Sequence, residues 1–285
     1  MRHLFTVSVS FFFAFCSSVS PSKKDGEQNK SYVTANPNFN TLVWADEFDY
    51  EGSPDPEKWH HQTFPPKNGS WFGNELQHYT ARKENSYVSS GTLKIIVKKE
   101  DFTTENSKKD YTSARLNSKF DFQYGRVEVR AKLPISTGTW PAIWTLGSDI
   151  NEPGNVFGDR KGNNPWPMCG EIDILEQNGW DKNKVISHLH WGDTFTKEYK
   201  HEGGELKSEN TWGDFHLYHL IWDEKYITIF YDNQISYQME NTADIPYDSP
   251  HYILLNVAIG GTLGGDVPQN FTQDQMEIDY VRIYQ

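Results

Sequence analysis

The fold is decided by the stretch Gly170-Glu171-Ile172-Asp173-Ile174-Leu175-Glu176. Side chains alternate across a β-strand, so Glu171 and Asp173 share one face and Ile172 and Ile174 the other. The isoleucines read as the side turned into a core, the carboxylates as the side turned towards a cleft. Glu176 follows Glu171 by five residues, and a regular strand would point it into the core. One extra residue near Leu175, a β-bulge, returns it to the carboxylate face, and bulges gather where a side chain must be re-aimed. The two glutamates are then about four strand steps apart, ~13 Å at ~3.3 Å per residue. Side chains leaning together over a concave sheet close much of that gap.

Two carboxylates brought together in this way are the machinery of glycoside hydrolysis. Retaining enzymes hold them about 5–5.5 Å apart and inverting ones about 6.5–9.5 Å, so the spacing favours retention. An acidic strand face is ordinary by itself. Met276-Glu277-Ile278-Asp279-Tyr280 repeats the Glu-Ile-Asp trigram with no third acid, and the remainder of the chain has to distinguish the two.

At 285 residues the chain suits one large domain, since all-β sandwiches often run to ~200–250 residues undivided. Aromatic residues make up 15%, with 10 Trp, yet mean hydropathy is only -0.73. That pairing fits a polar protein with aromatic surface for sugar rings, although most Trp and Tyr fill sandwich cores. Net charge is -12, and loss of residues 1–20 would remove Arg2 and no acid. Such a surface repels nucleic acid and anionic membranes.

Arg2, the apolar run Leu4 to Phe15 and the small residues Ser17, Ser18 and Ser20 form a secretory signal, too short for a membrane span. Residues 21–40, rich in Ser, Lys, Asn and Pro, read as a disordered polar linker, and residues 41–285 as the catalytic domain. The protein is therefore expected outside the cytosol, secreted or extracytoplasmic. Lipid anchoring at the cell surface through Cys16 is the alternative, against which bulky Phe15 counts. Cys16 and Cys169 are the two cysteines, so the mature chain has no internal disulfide. Asn29, Asn68 and Asn270 head N-x-[ST] sequons.

From Thr41 onward short strands are separated by turn residues, and no amphipathic helix exceeds two turns. Strands are expected at Thr92 to Lys99, Gly125 to Leu133, Val185 to Trp191, Phe215 to Asp223, Tyr226 to Tyr231, Ile235 to Met239, Tyr252 to Ile259 and Gln275 to Tyr284. Asp232-Asn233 makes a hairpin turn. The set indicates an all-β protein, a two-sheet β-jelly-roll sandwich. Polar stretches at Asp55 to Asn74, Asp149 to Pro167, Phe195 to Asn210 and Gly260 to Gln273 are read as loops walling a groove.

The chain has no G-x-S-x-G elbow, no G-x-x-x-x-G-K-[ST] loop and no C-x-x-C pair, so serine-hydrolase, nucleotide-binding and cysteine-zinc readings lack support. His188 and His190 share a strand face without a third ligand at a telling spacing. A histidine hydrogen-bonding beside the carboxylates is the better reading. Trp140-Pro141-Ala142-Ile143-Trp144 offers stacking platforms for sugars, with Trp144 in the core as the competing reading.

Taken in order, these residues resemble glycoside hydrolase family 16, in its laminarinase-like (endo-β-1,3-glucanase) branch. The resemblance runs from about Val43 to Tyr284. Its markers are Trp44-Ala45-Asp46-Glu47-Phe48, Asn74-Glu75-Leu76-Gln77-His78-Tyr79-Thr80, Tyr124-Gly125-Arg126-Val127-Glu128 and Gly138 to Trp144. They continue with Gly170 to Glu176, Leu189-His190-Trp191-Gly192, Leu255-Asn256-Val257-Ala258 and Met276 to Tyr284. The resemblance implies a jelly roll with a concave substrate cleft and a retaining double displacement. In it Glu171 is the nucleophile, Glu176 the acid/base and Asp173 the helper between them.

The resemblance also implies substrate contacts at Asn74, Arg126, Trp140, Trp144, His190, Asn256 and Gln275. It implies no cofactor for catalysis and a structural calcium held by Glu47, the Gly91 carbonyl and Asp279, a donor set that suits calcium. The expected partner is a β-glucan polysaccharide or oligosaccharide, met by a monomer with no nucleic acid and no transmembrane span. His78 departs from the aromatic Tyr that relatives often carry there. The Glu-x-Asp-x-x-Glu spacing argues against lichenase-like and xyloglucan-active members. It leaves agarase or carrageenase-type galactan hydrolases as an alternative, and a non-catalytic β-glucan recognition protein as another.

Overall fold

The computed structural model describes residues 39–66, 69–104 and 107–285. The expected signal, nearly all of the linker, Cys16, Asn29 and Asn68 lie outside the described residues. In chain order the strands begin β1 (Leu42–Asp46), β2 (Trp59–His61), β3 (Gln77–Tyr79), β4 (Ser86–Ser89), β5 (Thr92–Thr103) and β6 (Lys108–Ser113). Next come β7 (Arg115–Phe122), β8 (Gly125–Lys132), β9 (Thr139–Gly147), β10 (Glu171–Glu176), β11 (Lys184–Gly192) and β12 (Tyr199–Lys207). The last are β13 (His216–Trp222), β14 (Tyr226–Tyr231), β15 (Gln234–Glu240), β16 (His251–Ile259) and β17 (Gln273–Tyr284). Helical structure among the described residues is confined to the short turns α1 (Gly158–Lys161), α2 (Gly261–Gly264) and a 3₁₀ turn at Phe72–Asn74.

The strands form two stacked sheets. The inner-cleft sheet runs β12-β11-β10-β9-β16-β7-β2. The other runs β15-β14-β13-β8-β17-β5-β6-β3, with β1 on β17 and β4 on β5. Pairing is antiparallel throughout except β3 with β6. Alternation builds the core between them: Val127, Val129 and Ala131 of β8 and Leu220 and Trp222 of β13 meet Ile172, Ile174 and Leu175 of β10 and Leu255 and Val257 of β16, all fully buried. Asp232-Asn233 does turn the β14–β15 hairpin, with Tyr231 opposite Gln234.

The family-like segment around Asp46 is structural. Asp46 is buried and accepts the Trp59 indole N–H at 2.8 Å, the Tyr50 hydroxyl at 3.2 Å and Lys58 Nζ at 3.3 Å, tying the end of β1 to β2.

Two of the expected loops contain strands. Phe195 to Asn210 is no loop, because it contains β12, paired along its whole length with β11. It is an edge strand whose residues are mostly exposed, so no apolar period marks it in the sequence. The region Asp55 to Asn74 likewise contains β2, which pairs with β7. The stretch Asp149 to Pro167 covers a satellite cluster of Leu146, Ile150, Phe157, Cys169, Tyr252 and Leu254 at one end of the cleft face. Cys169 is a buried free thiol there.

Candidate active site

The bulge is where the carboxylate spacing requires it. Asp173 pairs with Trp144, Leu175 with Ile143 and Glu176 with Ala142, so three steps along β10 oppose two along β9. Ile172, Ile174 and Leu175 are all fully buried, which leaves Glu171, Asp173 and Glu176 on the outer face. Gly170, just ahead of the strand, has φ +78, and a Cβ there would stand 3.0 Å from the Tyr247 ring. The Tyr247 hydroxyl in turn reaches the carbonyls of Glu171 at 3.0 Å and His190 at 3.1 Å, fixing where β10 meets β11.

Register extends the row across the sheet. Glu176 pairs with Ala142, Ala142 with Asn256 and Asn256 with Arg115. Asp173 lies between His188 and Trp144, and Glu171 between His190 and Leu146. The repeated trigram on β17 shows why the same letters mean something else there. Glu277 binds Lys132 at 2.7 Å and Asp279 binds Arg130 at 2.6 Å, each acid matched by a cation. Among the described residues no lysine or arginine pairs with the acids of β10 in this way. Glu171 accepts the Trp166 indole N–H at 3.0 Å, Glu176 accepts that of Trp140 at 2.9 Å, and His190 Nε2 stands 3.4 Å from Asp173 Oδ2.

Burial and mutual repulsion push all three acids towards the protonated form. Glu171 is raised well above its ordinary value by burial and by Asp173, against which His190 and the Trp166 donor act. Asp173 is raised by burial and then by Glu176. Glu176 is raised by burial, with the Trp140 donor opposing. The three therefore share their protons as a group. Asp173 Oδ2 is buried and makes no hydrogen bond among the described residues, with His190 Nε2 standing 3.4 Å away, and burial favours the protonated carboxyl.

The walls are aromatic. Trp140 and Trp144 both lie half-buried on the cleft face, so Trp144 is not a core residue. The Trp144 indole donates to Asn256 Oδ1 at 2.8 Å, and its ring lies 4.8 Å from the Arg115 guanidinium. Asn74 is exposed on the turn against Trp140, where a Cβ on Gly73 would come within 2.9 Å of the indole. On the other side His190 binds the Tyr199 hydroxyl through Nδ1 at 2.7 Å, and His188 pairs with His201 at 2.9 Å. The His188 ring is pulled down to about 4 by burial, His190 and His201, so it is neutral near neutral pH.

Two expected substrate contacts lie elsewhere. Arg126 belongs to β8, whose Val127, Val129 and Ala131 face the core, so its side chain leaves the opposite side of the sandwich. There it pairs with Glu128 at 2.9 Å and covers the Tyr284 ring at 4.1 Å. Gln275 alternates with buried Met276 on β17 and is turned to the same far face. Arg115, Glu75, Trp166, Tyr199 and His201 are in or under the cleft and were not singled out from the sequence. For Arg115 a signal existed, since Arg115 and Asn117 alternate with Ala114 and Leu116, as a polar cleft face would.

Glu47, Gly91 and Asp279 lie away from the cleft. Leu93 opposite Ile278 and Asp46 opposite Val281 bring the ends of β5 and β1 to one stretch of β17, close to all three. Two carboxylates and a carbonyl are donor types that calcium takes. The carboxylates also hold arginines, Glu47 with Arg282 at 2.7 Å and Asp279 with Arg130. Within the cleft, one ligand atom each of Glu171, Asp173 and His190 lies within 4.8 Å of the others.

A sequence model of the family Glycosyl hydrolases family 16 matches residues 72–282. The chain belongs to glycoside hydrolase family 16. It is 38% identical over 263 residues to the beta-glucanase of Rhodothermus marinus, covering 85% of this chain and 84% of that one. It is 31% identical to the glucan endo-1,3-beta-glucosidase A1 of Niallia circulans, matching 85% of this chain but spanning only 37% of that longer protein. Among solved structures, LamAcat of Zobellia galactanivorans is 63% identical, covering 87% of this chain and 98% of that chain with a TM-score of 0.86. A Glu-to-Ser variant of LamA from the same organism, solved with laminaritriose and laminaritetraose, is 62% identical with a TM-score of 0.85, covering 87% of this chain and 100% of that chain. Family 16 hydrolysis requires no cofactor.

Proposed function

We infer that this family 16 hydrolase is a retaining endo-β-1,3-glucanase cutting internal β-1,3-glucosidic bonds of laminarin-type glucan. The observation that carries the reading is the bulged strand, which turns Glu171, Asp173 and Glu176 to one aromatic-walled face. The oligosaccharides bound by the related LamA variant support the choice of substrate. Mixed-linkage β-1,3-1,4-glucan is the second substrate to test.

In the first step a Glu171 carboxylate oxygen bonds to the anomeric carbon while the bond to the leaving oxygen breaks. Glu176 gives its proton to that oxygen. Esterification removes the charge on Glu171, so Glu176 remains as a carboxylate. It then takes a proton from water as the water oxygen attacks the same carbon and Glu171 departs as an anion. Asp173, raised by burial and by Glu176, keeps a proton and lets Glu171 ionise beside it. Asn74, Trp140, Trp144, His190 and Asn256 hold the sugars.

Further parts of the proposal are a structural calcium at Glu47, Gly91 and Asp279, action as a monomer, and export by the residue 1–20 signal. Lipidation at Cys16 is the alternative to free secretion. No helix among the described residues is long and apolar enough to cross a membrane.

The test is product release from laminarin, mixed-linkage glucan, agarose and κ-carrageenan in parallel. Short oligosaccharides from laminarin, with the β-anomer formed first, are expected. Products from a galactan alone would move the enzyme to the agarase side. Laminarin binding with no products would make it a recognition protein. Glu171→Gln should abolish hydrolysis and keep oligosaccharide binding, and full activity in that variant would overturn the roles.

A further inference from the structure

Glu75 immediately follows the 3₁₀ turn at Phe72–Asn74, and its carboxylate is buried beneath the cleft. Oε2 accepts the Tyr79 hydroxyl at 2.9 Å and the Gln77 side-chain amide. The Tyr79 oxygen accepts Asn256 Nδ2 at 3.1 Å, and Asn256 Oδ1 accepts the Trp144 indole N–H at 2.8 Å. Four side chains thus form an unbroken line from the cleft floor to one buried acid.

The line has a direction that chemistry fixes. Glu75 Oε2 accepts from both Tyr79 and Gln77, so the phenol spends its single proton on Glu75. The phenol oxygen can then only accept, which calls the NH₂ end of Asn256 towards it. The carbonyl end is left for the indole, which only donates. A flipped Asn256 would set N–H against N–H at Trp144 and lone pair against lone pair at Tyr79. Asn256 is 5% exposed and Tyr79 2%, so water offers little relief for such a mismatch. Asn256 pairs with Ala142, and Ala142 with Glu176. It therefore stands two strands from Glu176, about 9–10 Å at the usual spacing, across the small Ala142 side chain.

We propose that Glu75 is a positioning residue for the glucanase reaction, fixing through Tyr79 the amide orientation of Asn256 and with it the Trp144 indole in the cleft floor. This rests on the cleft being the glucan site, but the hydrogen-bond line is testable without substrate. Burial pushes the Glu75 carboxyl above its ordinary value, and the Tyr79 donor, the Arg115 charge and the Gln77 donor oppose that shift. Arg115 is itself held by Glu152 at 3.5 Å, so it does not replace the Tyr79 donor.

The experiment uses Tyr79→Phe, Glu75→Leu and Asn256→Ala, with the doubles Tyr79→Phe/Asn256→Ala and Glu75→Leu/Asn256→Ala. Tyr79→Phe keeps the ring that packs edge-on against Trp71 at 4.6 Å, so it should fold even if Glu75→Leu does not. The first readout is solvent exchange of the Trp144 indole N–H by NMR, identified through Trp144→Phe. It should be slow in the wild type and at least about tenfold faster in Tyr79→Phe. The second is KM for a laminari-oligosaccharide, expected to rise about 5- to 30-fold in each single variant, the scale of one buried polar group left unpaired. In the Asn256→Ala background the same changes should add less than about twofold.

Unchanged indole exchange in folded Tyr79→Phe would overturn the proposal whatever the substrate. So would an equal KM effect with and without Asn256, since that would be general damage. A wild type inactive on laminarin would refute the functional reading alone, and the exchange measurement would still decide this one.

Discussion

Trp140→Phe tests the assignment of Glu176. The substitution keeps an aromatic ring but removes the indole N–H that donates to Glu176 Oε1 at 2.9 Å. That bond favours the charged carboxylate and opposes the upward pull of burial on Glu176. A hydrogen bond to a charged group contributes about 1.5–3 kcal/mol, and the low end applies in a cleft open to water. At 1.4 kcal/mol per factor of ten, Glu176 should hold its proton about tenfold more tightly in the variant. The alkaline limb of kcat/KM reports loss of the proton from the acid, so it should move to higher pH. The second chemical step should slow, because it needs Glu176 as the base. The assay is a pH profile of initial rates on a laminari-oligosaccharide, with Trp144→Phe as the control. Trp144 donates to Asn256 and not to a carboxylate, so its loss should weaken binding and leave the limb in place. A limb that stays put or moves down in Trp140→Phe would refute the reasoning.

Gly73→Ala should cut activity more than stability. Gly73 has φ +64, and its new Cβ would lie 2.9 Å from the Trp140 ring, so the indole should shift against Glu176 while the backbone strain costs about 1–2 kcal/mol. Normal kcat/KM beside a lowered Tm would contradict this. The melting temperature should also fall as pH drops below the ordinary histidine value near 6.5. His251 is fully buried against Thr145 Oγ1 and is pulled down to about 3 by burial, so below ~6.5 the unfolded chain binds a proton the folded one refuses. The loss continues until about 3, and calorimetry on His251→Phe should show a shallower slope between pH 6.5 and 4; an identical slope would remove His251 from the account. Finally, calcium should raise Tm, EDTA should lower it, kcat should hardly change, and Glu47→Gln should erase the response. A Tm indifferent to both additions would reject the calcium site.

Alternation and one irregularity make the centre of this protein legible before folding. Ile172, Ile174 and Leu175 can only be core, and three acids between them can share a face only through a bulge, which the pairing of β10 with β9 contains. The hairpin at Asp232-Asn233 and the sandwich class follow from equally local chemistry. Alternation says that a side chain points out of the sandwich, but both sheets have an outward face. Arg126 and Gln275 obey the same pattern as Asn256 and leave on the opposite side, Arg126 against Glu128 and Tyr284. Only pairing between distant strands decides which outward face is the cleft. Strand β12 escapes for a different reason: an edge strand with little buried surface carries no apolar period, yet it brings Tyr199 and His201 to the wall. Glu75 shows the remaining limit. It is an ordinary acid in the sequence, and its meaning comes from Tyr79 and from Asn256, 181 positions later, which the packing of the two sheets brings together.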